Sequence, residues 1–351
     1  MAKICVDARV LFLALMVMLL GGCFGERTVV DSLEDYNARL AYVLDTDFPQ
    51  IISPSLPALA ASTSIKHDIE ELSINLRDFY ALQDCELGRV VAQRNTSLGK
   101  SQLPSQRLVY ESKLLSVLSS CENAIRQSNP KLADTLGEWQ EQKRKDYVKS
   151  WANLLQASKE LRLALNTPER LISDTTPKNA NASINSLFYI DGVKEIASQA
   201  DIRPINSAEL EAQLEIIQSA RLPASLWRTQ HVVAHNLDAL STALTSELQK
   251  VSCPDGRATE QAKILRNVFY LFFIEEIQPV GSLINQYHYK LVPLWQKWLE
   301  DASFHSDFKQ YIITQSQTNF TAYSQAVQTH VTLWQTFLKR CNLSPVAPTG
   351  A

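Results

Sequence analysis

Apolar residues recur every three or four positions through most of the chain. Residues 31–44 place Leu33, Tyr36, Leu40 and Val43 on one face, the spacing of an amphipathic helix. A connector with Pro49, Pro54 and Pro57 follows. Residues 64–83 repeat the pattern at Ile65, Ile69, Leu72, Leu76 and Phe79 and predict a second helix, and Cys85–Arg94 predicts a short third. Residues 94–105 are polar and read as a loop, and 105–126 return to helical spacing with Leu108, Leu115 and Leu118. Asn129-Pro130 is a start signal, an N-cap side chain followed by proline at the first helical position. The helix it opens is expected to reach Leu165, before Thr167-Pro168-Glu169 repeats the signal. Within 174–206, Ser186–Ile190 fits a short strand as well as a buried helical turn. Ser207–Ala220 and Ala224–Lys250 are helical again, and Pro254-Asp255-Gly256 is a turn.

The last two segments, 258–300 and 303–341, predict a long hairpin. Phe320, Tyr323, Val327, His330, Trp334, Phe337 and Cys341 alternate spacings of three and four, a heptad seam. Val268–Ile274 is apolar on every side and predicts the central helix, with kinks at Pro279 and Pro293. The expected class is all-α, a multi-helix bundle of long antiparallel helices. Residues 31–343 are expected to form a single helical body, with a sub-boundary near 166–207 as the alternative, and 344–351 a disordered tail. Gly supplies only 10 of 351 residues, which argues against turn-rich β architectures and Gly-rich cofactor loops. Lys and Arg number 34 against 37 Asp and Glu, a net charge of -3, so no basic surplus points to nucleic acid.

The first residues carry a different signal. Lys3 and Arg9 precede an uncharged apolar run, Val10–Leu20, too short for a spanning helix and right for the core of an export signal over 1–22. The run ends Leu20-Gly21-Gly22-Cys23, which resembles the lipobox of bacterial lipoproteins. That resemblance implies cleavage before Cys23, acylation of its thiol and amino group, and a lipidated tether over 23–30. Phe24, where an aspartate would signal retention, implies sorting to the periplasmic face of the outer membrane.

With Cys5 in the signal and Cys23 carrying lipid, Cys85, Cys121, Cys253 and Cys341 remain. An even number in an exported chain reads as two disulfides, with three connectivities. Topology favours Cys85–Cys121 and Cys253–Cys341, because a hairpin of 258–300 and 303–341 returns its end beside Cys253. No pair has the C-x-x-C spacing of zinc or thioredoxin-type sites.

Candidate chemistry is sparse. Arg94–Ser101 ends like a phosphate loop but has Arg at position 94 and a helix before it. Arg94, Lys100 and Arg107 are better read as a candidate anion site, for a lipid head group or a peptide carboxylate. His231 and His235 share a helical face with Asp238 and are candidate metal ligands, although Val232 stands where a protease-type zinc helix has glutamate. Glu275 or Glu276 is expected to extend a buried stripe and pair internally, and His330 to be a hydrogen-bonded core histidine. The run Thr314–Asn319 crosses the seam as a polar layer or, alternatively, lines a ligand cavity with Gln315, Asn319 and the Glu pair. No catalytic or cofactor motif is present, and no cofactor is expected.

The stretches Cys85–Lys100 and Pro104–Glu111, followed by Cys121, resemble a family of uncharacterised proteobacterial lipoproteins defined by a domain of unknown function. The resemblance implies an envelope location and brings no activity or catalytic residue. The expected role is a lipid-anchored, periplasm-facing scaffold or adaptor that binds envelope protein, lipid or peptidoglycan fragments. The alternatives are a metal binder or metal-dependent enzyme centred on His231 and His235, and a small-ligand carrier.

Overall fold

The computed structural model describes residues 27–94, 103–166, 170–173, 176–199 and 202–345. The expected signal, Cys23, Lys100, the Thr167-Pro168-Glu169 start signal and residues 346–351 lie outside the described residues. The α-helices are α1 (Val29–Leu44), α2 (Ser62–Ile65), α3 (Leu76–Ala81), α4 (Glu86–Arg94), α5 (Pro104–Ile125), α6 (Pro130–Ala157), α7 (Lys159–Leu165), α8 (Pro177–Gly192), α9 (Ser207–Ala220), α10 (Leu222–Lys250), α11 (Glu260–Val268), α12 (Gln278–Glu300), α13 (Ser306–Ile313) and α14 (Asn319–Arg340). No strand occurs among the described residues, and the protein is an all-α bundle. Both expected disulfides are present, Cys85–Cys121 and Cys253–Cys341. Buried side chains from Val29 to Cys341 form one contiguous core.

Local chemistry sets the helix ends. Thr28 and Asp31 form a reciprocal capping box, so α1 begins at Val29, inside the segment expected to be tether. The Asn129 side chain accepts the Leu132 N–H and opens α6 as expected. That helix stops at Ala157 rather than Leu165. Ser158 turns extended and its hydroxyl accepts the Leu161 N–H, so one long helix becomes α6 and α7. Ser186–Ile190 lies within α8 and is helical.

The largest departure from periodicity is at 64–83. Only α2 and α3 are helical there, and 66–75 is extended. Carboxamides on α6 hold its start, both backbone groups of His67 and the carbonyl of Ile65 at the end of α2. Asn153 Oδ1 accepts the His67 N–H at 2.7 Å, Asn153 Nδ2 donates to the His67 carbonyl at 2.9 Å, and Gln156 Nε2 donates to the Ile65 carbonyl at 2.5 Å. The Pro-rich connector is held the same way. Asn236 clamps both backbone groups of Ile52, and Arg228 and Arg162 donate to the carbonyls of Pro54 and Ala60. A segment without a ladder must place its N–H and C=O groups somewhere, and here a set of interior side chains takes them.

In the C-terminal half, α10 and α14 run in the same direction. Ser241 meets His330 at 2.9 Å, and one turn or more further on Arg340 donates to the Leu248 carbonyl at 2.6 Å. The helix α11–α12 runs against them, with Phe269 stacked on Trp334 and Tyr323 donating to the Gly281 carbonyl. Its middle, Phe269–Ile277, is π-helical, and the Gln278 N–H reaches back to the Phe273 carbonyl. The wider turn lies immediately before Pro279, which lacks an N–H and crowds the carbonyl four residues back. This stretch is not the central helix that its composition predicts. Phe269 and Phe273 are buried against Tyr36 of α1 and His330 and Trp334 of α14, but Leu271, on another face of the segment, is 39% exposed. The centre belongs to α10, with Trp227, Val232, Leu237 and Leu244 buried along its length.

Candidate functional site: a charged cleft between α4, α5 and α6

Antiparallel α5 and α6 face each other, and α4 is tied to α5 by Cys85–Cys121. The chain turns into α4 tightly: a Cβ at Gly88 would lie 2.6 Å from the Leu82 carbonyl oxygen, so only glycine fits. Arg107, Tyr110, Glu111, Leu114 and Leu118 follow one face of α5, and Trp139, Lys143 and Asp146 follow the opposing face of α6. The extended arm 66–75 closes the open side. Between them is a cavity of about 130 Å³. Leu72, Ile74, Leu87, Val91, Leu114 and Leu118 make its apolar wall, and Arg94, Arg107, Tyr110 and Lys143 make its polar one. A second, more polar pocket shares Glu71, Arg94 and Arg107 with the first.

The polar wall is a network of opposed charges. Arg107 Nη2 lies 2.5 Å from Glu111 Oε1, Lys143 Nζ 3.5 Å from Glu111 Oε2, and Lys143 Nζ 2.9 Å from Asp146 Oδ2. Glu111 and Asp146 are fully buried. The Tyr110 ring receives two guanidinium groups, Arg94 at 5.4 Å and Arg107 at 5.9 Å. Burial, reinforced by the Glu111 charge and opposed by the two arginines, pushes the Tyr110 hydroxyl up to about 12. Arg94 also pairs with Glu71 at 2.9 Å, but that carboxylate is 80% exposed. Such a pair is worth about 0–1 kcal/mol, whereas breaking the buried Arg107–Glu111–Lys143 set would strand a charge. Among the described residues, Arg107 Nε and both carboxylate oxygens of Glu111 are buried without a hydrogen-bond partner, so Arg107 and Glu111 are held together by charge.

The profile of the family described as "Protein of unknown function (DUF3080)" matches residues 33–345, most of the chain. The chain belongs to that family. No curated protein and no solved structure matches it. The matched region contains the whole cleft and all four disulfide cysteines of this DUF3080 member. Among its described residues, no helix is long and apolar enough to cross a membrane.

Of the candidate anion-binding residues, Arg94 and Arg107 come together on Tyr110, and Lys100 lies outside the described residues. Tyr110, Glu111, Lys143 and Asp146 were not singled out by sequence reasoning. A signal existed for two of them. Glu111 falls in the stripe Leu108, Glu111, Leu115, Leu118, and Lys143 in the stripe Leu132, Leu136, Trp139, Lys143. A charge at a stripe position is a charge directed into the core.

The other candidates in this DUF3080 member are dispersed. His231 is half-buried, and burial, then the Arg228 and His235 charges, lower its pKa. His235 and Asp238 are exposed. Among the described residues no three His, Cys, Asp or Glu side chains group as a metal site would require. Glu275 is exposed, and Glu276 is partly buried and pairs with Arg27 at 2.8 Å. Gln315 is fully buried, accepts from Asn319 at 2.9 Å and donates to the Pro57 carbonyl at 3.4 Å. The Thr314–Thr318 stretch is π-helical, and its buried amide fastens the Pro-rich connector.

His330 is a hydrogen-bonded core histidine. Nε2 accepts from Tyr36 at 3.0 Å and from Trp334 Nε1 at 3.2 Å, and Nδ1 donates to Ser241 Oγ at 2.9 Å, whose hydroxyl donates to the Leu237 carbonyl. Complete burial pushes its pKa down to about 3. The ordinary value in an unfolded chain is about 6.5, so below that pH the unfolded state binds a proton that the folded state refuses. Stability therefore falls as pH drops from about 6.5 towards 3, by up to about 1.4 kcal/mol per pH unit from this group. The variant His330→Gln, measured by urea unfolding at pH 7 and pH 4.5, is expected to lose less stability on acidification than the parent. An equal loss would show that His330 charges freely in the fold.

Proposed function

We propose that this protein is a lipid-anchored helical adaptor of the bacterial envelope. In this reading Cys23 holds it at the periplasmic face of the outer membrane, and the α4–α5–α6 cleft faces a ligand or partner. The observation that carries the reading is the pair of disulfides, since cystines persist in oxidising compartments and are rare in the cytosol. The apolar run Val10–Leu20 and the Leu20-Gly21-Gly22-Cys23 sequence supply an export route and an acylation site. Helix α1 starts six residues after Cys23, a reach of about 20 Å at full extension, which keeps the body close to the bilayer. Several acyl chains on one residue give stable anchoring where a single chain does not. The cleft suits recognition: its buried charges neutralise one another in a fixed arrangement beside an apolar wall.

Mass spectrometry of the protein from the membranes of a Gram-negative host tests this. The expected N-terminal peptide begins at Cys23 and carries acyl chains, and Cys23→Ala yields no acylated peptide. A bare Cys23 in the folded, exported protein, or a retained signal, would overturn the reading.

A further inference from the structure

The cleft treats its two arginines differently. Arg107 is balanced by Glu111, which is fully buried and also faces Lys143, so that carboxylate has nowhere to go. Arg94 is balanced by Glu71, which is exposed and sits on the extended arm rather than on a helix. Glu71, Arg94 and Arg107 all lie where the apolar cavity meets the polar pocket beside it. Leu87, Val91 and Leu114 line the same cavity as Arg94, and Arg107 Nε, like both oxygens of Glu111, is buried without a hydrogen-bond partner among the described residues.

We infer that the cleft binds a carboxylate joined to a short apolar body, and that Glu71 is an internal stand-in for that carboxylate; this rests on reading the cleft as the binding site. The incoming carboxylate takes the place of Glu71 on Arg94 and reaches Arg107 Nε, both charge-assisted contacts. Its apolar part enters the cavity, whose volume of about 130 Å³ limits it to a short chain or one side chain. Because Glu71 is solvated when it swings away, the exchange of one carboxylate for another leaves no charge unpaired. Two sources share this chemistry, a short fatty acid and the C terminus of a peptide ending in an aliphatic residue.

Calorimetric titration of the full-length protein would use hexanoate against hexanamide, and acetyl-Ala-Leu against its C-terminal amide. The acids are expected to bind and the amides not to. Glu71→Gln, which removes the competing charge from an exposed position, is expected to tighten acid binding about three- to tenfold. Arg94→Gln is expected to weaken it at least about tenfold with an unchanged circular dichroism spectrum. Tighter binding of the dipeptide would identify a peptide source, and tighter binding of hexanoate a lipid one. Equal binding of acid and amide, binding by neither acid, or a Glu71→Gln variant that binds acid no more tightly would overturn the inference. A bare Cys23 would overturn the envelope reading and leave these titrations unaffected, so the two failures are distinguishable.

Discussion

Replacing Glu111 by alanine is expected to cost about 3–5 kcal/mol of folding stability. The change removes the carboxylate that faces Arg107 and leaves Lys143 with Asp146, in a site where Glu111 itself has no solvent exposure. The loss comes from the charge left behind and not from the worth of the pair. The double variant Glu111→Leu with Arg107→Met is therefore expected to recover most of it, because Lys143 and Asp146 remain balanced and apolar surface replaces the removed charges. Glu260→Ala, which deletes the carboxylate of an exposed pair with Lys263, is the control and is expected to change stability by less than about 1 kcal/mol. Denaturant midpoints of the three variants decide the matter. A loss at Glu111→Ala no larger than at Glu260→Ala would show that water reaches the cluster.

Removal of the Cys253–Cys341 bridge by paired alanine substitutions is expected to destabilise the protein by about 4.5 kcal/mol, and removal of Cys85–Cys121 by about 4. The bridges close loops with sequence separations of 88 and 36, yet the expected costs are close, because chain entropy grows with the logarithm of loop length. Their consequences for the cleft differ. Cys85–Cys121 joins the start of α4 to α5, so its loss is expected to displace Arg94 and weaken carboxylate binding. Cys253–Cys341 ties the loop after α10 to the end of α14, far along the chain from the cleft, and its loss is expected to lower the melting temperature and leave binding in the intact fold unchanged. Thermal unfolding with and without reductant, with hexanoate titration of each variant, checks both statements. Equal binding by the two cystine variants would remove the link between Cys85–Cys121 and the cleft.

Helices with an unbroken three-four repeat and a cap were legible from residues alone. Asn129 was read as a start and holds a backbone N–H that no helical carbonyl can reach; Thr28 and Asn206 cap α1 and α9 in the same way, and only the structure revealed those two caps. The extended arm was not legible, because Ile69, Leu72 and Leu76 keep helical spacing. The partners that pull the arm straight, Asn153 and Gln156, lie more than seventy residues away. The cleft was half legible. Arg94 and Arg107 stood out as cations flanking a polar loop, but the carboxylates that neutralise them differently were invisible as a set. Glu71 comes from the arm, Glu111 from α5 and Asp146 from α6.

The amino-acid order by itself determined the helical class, the start of α6 at Asn129-Pro130, and the favoured pairing of the four cysteines, with Cys253–Cys341 closed by a returning hairpin. Each depends on neighbours within a few turns or on counting. Only the tertiary structure decided that α10 and not the most apolar segment is central, that 66–75 is stretched across α6, and that one arginine in the cleft pairs with a buried carboxylate while the other pairs with an exposed one. Those outcomes depend on which surfaces meet. A buried charge or an unladdered backbone takes its free energy from partners that the chain brings close only when it folds.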